Sequence, residues 1–123
     1  MQLVMKIAEE KRMNSDGMKA LFNYIARESG VYKTQGIGLS DDSEKAFKQV
    51  MNNKRRFNKA QDDKMRFCYH EIISFEYGTD PELALKIGED YCNKLHQEKG
   101  FNCFFGVQVD TKNTHIHILV DSV

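Results

Sequence analysis

The sequence predicts an α+β fold: one mainly antiparallel sheet with helices packed over one of its faces. Three observations carry this. Apolar residues alternate with others near the N-terminus and again in mid-chain, the period of a strand. Between and after these stretches, apolar residues recur at helical spacing. The chain then closes on two apolar segments joined by a short polar turn, the pattern of a β-hairpin. The 123 residues show no repeat, low-complexity segment or linker, and 1–123 is expected to be a single domain.

Leu3, Met5 and Ile7 alternate with Val4 and Lys6 and form the opening strand. Ser15 or Asp16 offers a cap for a helix from about 17 to 28, whose apolar stripe is Met18, Leu21, Phe22 and Ile25 and which stops near Ser29-Gly30. Tyr24 lies off that stripe. The stretch Val31 to Leu39, punctuated by Gly36 and Gly38, has neither period and reads as a mobile loop. Residues 40–43 cap a second helix reaching about Phe57. A polar turn over 58–64 precedes a strand from Phe67 to Phe75. One face of that strand carries Tyr69, Glu71, Ile73 and Phe75, and the other carries Cys68, His70, Ile72 and Ser74.

Thr79 or Asp80 before Pro81 starts a third helix, because proline suits a first helical turn. Leu83, Ile87, Tyr91 and Leu95 are its expected buried face, and it ends near Gly100. Strands over Cys103 to Val109 and Thr114 to Val120 follow, joined by Asp110-Thr111-Lys112-Asn113. The last strand ends within three residues of the C-terminus, as expected of a minimal domain or one shortened at that end.

Eighteen basic residues balance eighteen acidic ones, so any nucleic-acid binding must be local, since nonspecific affinity comes mainly from neutralised phosphates. Local basic density exists on the second helix, where Lys54, Arg55 and Arg56 follow Lys45 and Lys48. No apolar run approaches the roughly 20 residues of a membrane helix and no signal-peptide core is present, so a cytoplasmic location is expected. Cys68, Cys92 and Cys103 have no CxxC spacing and read as buried thiols.

His115 and His117 stand two apart on a strand, so both imidazoles project from one face, close enough to share a metal. The hairpin brings Gln108 opposite this pair. Two imidazoles and an amide oxygen leave coordination positions open for phosphate, which suits manganese or magnesium better than a closed zinc site.

The segment from Gln108 to His117 resembles the third motif of plasmid relaxases, which belong to the HUH endonucleases. That motif reads His-x-Asp, a polar turn, then His-x-His entering a hydrophobic strand that ends in asparagine. Asp110, His115 and His117 match it; Gln108 stands where its first histidine would be and Asp121 where its asparagine would be. Tyr69 to Phe75 looks like the second motif, and the resemblance places Ser74 against DNA near the nick. Phe22-Asn23-Tyr24-Ile25 looks like the first motif, making Tyr24 the nucleophile, with Tyr32 in its glycine-flanked segment the main rival. The resemblance also implies that Asp110 acts beside the metal, either orienting a metal-bound histidine or only capping the turn, and that the fold is relaxase-like with a ferredoxin-like palm.

What the resemblance implies is a metal-dependent endonuclease acting on single-stranded DNA at an origin of transfer, in conjugation or mobilisation. Its partners would be that DNA and accessory relaxosome proteins. Tyr24 would form a 5′-phosphotyrosyl link, with Arg27, Lys33 or a metal-bound hydroxide as candidates to activate it. Two alternatives stand beside this. One is an HUH replication initiator or transposase nuclease, whose tyrosine usually follows the histidine strand. The other is a non-catalytic single-stranded DNA-binding module in which Gln108 marks lost catalysis.

Overall fold

Pro81, whose fixed φ suits a first helical turn, opens the longest helix, α3 (Pro81–Lys99). The Asp80 side chain caps it by accepting the Glu82 N–H at 3.0 Å. Gly100 closes it in the left-handed region (φ 72°), its N–H donating to the His96 carbonyl at 2.9 Å. The computed structural model describes residues 3–9, 15–27, 30–56, 68–109 and 113–121. The remaining elements among these are β1 (Leu3–Glu9), α1 (Ser15–Ile25), β2 (Val31–Ile37), α2 (Ser43–Arg56), β3 (Tyr69–Phe75), β4 (Asn102–Gln108) and β5 (His115–Asp121).

The strands form one sheet in the order β1-β3-β5-β4-β2, with every neighbouring pair antiparallel. The predicted hairpin is present as β4 and β5, paired from Asn102↔Asp121 to Gln108↔His115. Around the end of β3, Phe75 N–H donates to the Thr114 carbonyl (3.0 Å) and Asn113 Nδ2 to the Phe75 carbonyl (2.8 Å), fixing the start of β5. The opening strand and all three predicted helices are likewise present. No helix among the described residues is long and apolar enough to cross a membrane.

Three expectations are corrected. First, most of the stretch read as a mobile loop is a strand: β2 pairs with β4 from Val31↔Gln108 to Ile37↔Cys103, with a bulge between Val31 and Lys33. An edge strand with a bulge lacks strict alternation, and Gly36 serves close backbone approach, since a Cβ there would lie 2.3 Å from the Leu39 and Ser40 carbonyl oxygens.

Second, the helices cover both faces of the sheet. On one side α1 and α2 contribute Met18, Phe22, Ile25, Ala46, Val50 and Met51 to a core with Cys68, Phe104 and Leu119. On the other, Ala84, Leu85 and Cys92 of α3 pack on Ile73, Phe75, Phe105, Val107, Ile116, Ile118 and Val120. The physical reason is that β4 and β5 are apolar at successive residues, Phe104 with Phe105 and Ile118 with Leu119, so each face needs cover.

Third, the buried face of α3 is turned from the predicted stripe. Leu83 is 43% exposed, whereas Ala84, Leu85, Gly88 and Cys92 are buried and Ile87, Tyr91 and Leu95 flank them. Small residues bring the helix close: a Cβ on Gly88 would stand 2.9 Å from the Phe105 ring. All three cysteines are buried thiols outside any disulfide. The Cys92 thiol is pushed up from its usual range by its hydrogen bond with Cys103 and by burial, the state of an inert core thiol.

Candidate active site

Alternation along the strands decides which side chains share a face with α1. Register puts Ser74 of β3 and Gln108 of β4 on either side of His115, and Ile72 and Gly106 on either side of His117. All of them, with His70, lie on the α1 and α2 side, as Leu119, Phe104 and Cys68 of the same parity do. The face is apolar at the Leu119 end and polar at the His115 end. Sequence reasoning grouped Ser74, Gln108, His115 and His117, and the structure brings them together.

The last turn of α1 lands on this platform because β4 has no side chain there. A Cβ on Gly106 would meet the Ile25 carbonyl oxygen at 2.7 Å, so only glycine opposite His117 lets the helix end sit so low. Tyr24 consequently reaches the histidines. Its ring stands edge-on to His117, with centroids 5.0 Å apart and an 87° interplanar angle, and the residue is 45% exposed. The Arg27 guanidinium carbon lies 4.4 Å from the centre of the Tyr24 ring, a cation–π contact.

Gln108 does something the sequence did not disclose. Its Nε2 donates to the Tyr24 backbone carbonyl at 3.2 Å, near the helix end, where the same carbonyl also accepts the Arg27 N–H at 3.4 Å. The side chain is almost wholly buried (2% exposed) and joins β4 to the helix bearing the tyrosine. Spending the amide nitrogen on Tyr24 leaves Oε1 as the end of the amide able to serve a cation.

The five tyrosines are sharply distinguished. The Tyr32 hydroxyl hydrogen-bonds the Glu82 carboxylate of α3, on the opposite side of the sheet, and that bond pushes its pKa up, away from phenolate. Burial raises that of Tyr91, helped by its 2.7 Å hydrogen bond to Glu71. Tyr69 lines a cavity of about 290 Å³ with Glu71, Tyr91 and Lys99, also on the α3 side. Tyr77 is exposed beyond β3. Of the groups considered for activating Tyr24, Arg27 is beside it, whereas Lys33 is paired with Val107, a residue of the α3-side core.

His70 is the residue whose place sequence reasoning missed. Its Nε2 lies 3.0 Å from His117 Nδ1, a ring-to-ring hydrogen bond, and the two ring centroids are 5.2 Å apart. The available signal was its parity with Ser74 on one strand; what could not be read was the register of β3 on β5. Gly106, inside an apolar strand, carried its own signal of close backbone approach. Asp110 lies outside the described residues. Lys54, Arg55 and Arg56 form the last turn of α2, and their side chains lie outside the described part of the structure.

Among the described residues, no three His, Cys, Asp or Glu side chains converge as a metal site. The groups on this face that could hold a divalent ion are the two imidazoles of β5, with ring centroids 6.4 Å apart, and the amide of Gln108, the cross-strand partner of His115. Such a set fits a divalent ion that accepts oxygen and nitrogen and keeps several positions for water or phosphate; it does not fit a closed structural zinc.

A family model for the relaxase nuclease domain of the MobA/VirD2-like type matches residues 4–123, nearly the whole chain. No match is found among curated proteins or among solved structures. With a family model covering the five-stranded sheet and its site face together, the chain belongs to the MobA/VirD2-like relaxases, as a DNA-nicking nuclease domain of that family.

Proposed function

We propose that this chain nicks single-stranded DNA at an origin of transfer, with Tyr24 as the nucleophile, in conjugative transfer or mobilisation. The observation carrying this reading is the contact of Tyr24 with His117 on the face that also holds His115, Gln108 and Ser74. In the reaction, Tyr24 Oη attacks the scissile phosphorus and the bond from phosphorus to the 3′ oxygen breaks. The phenol proton is given up as the departing 3′ oxygen gains one. The products are a 5′-phosphotyrosyl link and a free 3′-hydroxyl.

The residues divide the work. Arg27, stacked on the Tyr24 ring, sets a positive charge beside the phenol that must lose its proton. Gln108 holds the helix end that carries Tyr24, so the nucleophile sits at a defined height over the sheet. His115, His117 and the Gln108 amide oxygen are the donors for a manganese or magnesium ion, which when bound offsets charge on the nonbridging phosphate oxygens. Ser74, beside His115, faces the strand end near the nick, and the α2 basic cluster with Lys54, Arg55 and Arg56 contacts phosphates. Asp110 is assigned to orient a histidine ligand through its other ring nitrogen.

The test is to incubate the chain with manganese and single-stranded oligonucleotides spanning candidate origins, and to look for a covalent protein–DNA species on a denaturing gel. Formation of the adduct, and its loss in Tyr24→Phe with oligonucleotide binding retained, is the expected result. One observation favours a second reading, a DNA-binding module without catalysis: the nitrogen of Gln108, which stands where the resembling motif has a histidine, is engaged with Tyr24. Binding with no adduct from any candidate origin would support that reading and sink the first.

A further inference from the structure

We infer that His70 is a positioning residue for His117: it fixes the ring of His117 in the tautomer whose lone pair, on Nε2, is presented for metal binding. This rests on the metal reading above. The two nitrogens are 3.0 Å apart, and each ring nitrogen of a neutral histidine is either a donor or an acceptor. One proton therefore lies between His70 Nε2 and His117 Nδ1. If His70 supplies it, neutral His117 carries its own proton on Nε2 and has no lone pair there. If His117 supplies it, Nε2 is a free donor atom and His70 acts as acceptor.

Packing restricts His117 to few ring positions. It is 8% exposed, has Gly106 and Ile72 as its cross-strand neighbours, and carries the edge of Tyr24 against its ring. His70 comes from β3, diagonal to His117, because its directly opposed residue is Leu119. The sheet itself thus sets the distance between the two rings. Orienting a ligating histidine through its second nitrogen is a role normally filled by a carboxylate or a backbone carbonyl. Here an imidazole on the neighbouring strand fills it.

The experiment uses the full chain. Long-range proton–nitrogen NMR on ¹⁵N-histidine protein reads the His117 tautomer without metal, and calorimetry reads Mn²⁺ affinity. His117 protonated on Nδ1 in the wild type is expected, with Mn²⁺ affinity falling about 10- to 100-fold in His70→Phe, which fills the space without an acceptor. His70→Gln, whose amide oxygen can accept the His117 proton, is expected to recover most of that loss and guards against a folding artefact. Wild-type His117 protonated on Nε2, or a His70→Phe chain binding Mn²⁺ as tightly as wild type while His117→Ala is impaired, overturns the role of His70. If His117→Ala itself binds Mn²⁺ like the wild type, the metal reading is what fails.

Discussion

The two faces of the sheet are made by the same strands and do different work. Toward α3, Ile73, Phe75, Phe105, Val107, Ile116, Ile118 and Val120 are buried under a helix of 19 residues, with the polar pairs Tyr91–Glu71 and Gln35–Glu89 beside them. Toward α1, the next residues along those strands are apolar at one end, where Phe104 and Leu119 join the core of Phe22, and polar at the other, where Ser74, Gln108, His115 and His117 share the face and Tyr24 meets His117. Both parities carry a core, but only the one facing α1 also carries the candidate site. Moving one residue along β5, from Ile116 to His117, therefore changes what a substitution should break.

That contrast can be attacked from either side. Phe105→Ala removes a fully buried ring from the α3 face and should cost about 3–5 kcal/mol in urea unfolding, while the adduct-forming chemistry survives wherever the chain remains folded. A loss of cleavage far exceeding the loss of folded protein would show that the faces are not separable. Gly106→Ala, one residue along β4, adds a methyl 2.7 Å from the Ile25 carbonyl oxygen and must lift the end of α1. Single-turnover cleavage should fall by about 100-fold, the scale of a roughly 1 Å misplacement, with oligonucleotide affinity little changed. Unaltered cleavage would mean that Tyr24 does not need its perch on His117. Gln108→His is the mildest: it trades the amide bond to the Tyr24 carbonyl for a third imidazole, so stability should drop by about 0.5–1.5 kcal/mol while Mn²⁺ binds more tightly in calorimetry.

The legible parts of this molecule were those whose signals are local. Pro81 and Gly100 mark the ends of α3 through backbone geometry alone, and the polar turn between two apolar runs marks the β4–β5 hairpin. The residues on the site face were legible too, because side-chain parity is a property of each strand by itself. What escaped reading depends on partners far away in sequence. Tyr32 to Gln35 show no period, and become a strand only because β4 offers its free edge. Ala84, Gly88 and Cys92 form the true contact stripe of α3, but small residues leave little mark on an apolar pattern. His70 reaches His117 only through the register of β3 on β5, and Gln108 reaches the Tyr24 carbonyl only once α1 is docked.

Tyr24 and Tyr32 state the same contrast for one residue type. They are similarly exposed, at 45% and 42%, yet Tyr24 touches His117 on the polar face whereas the Tyr32 hydroxyl is bound to Glu82 on the other side, which raises its pKa and makes it a poorer nucleophile. Peptide mapping by mass spectrometry of the covalent species formed with manganese and a cleaved oligonucleotide tests this directly. The nucleotide is expected on Tyr24, with no adduct from Tyr24→Phe and an undiminished yield from Tyr32→Phe; an adduct on Tyr32, or one that persists in Tyr24→Phe, would contradict the assignment of Tyr24 as nucleophile.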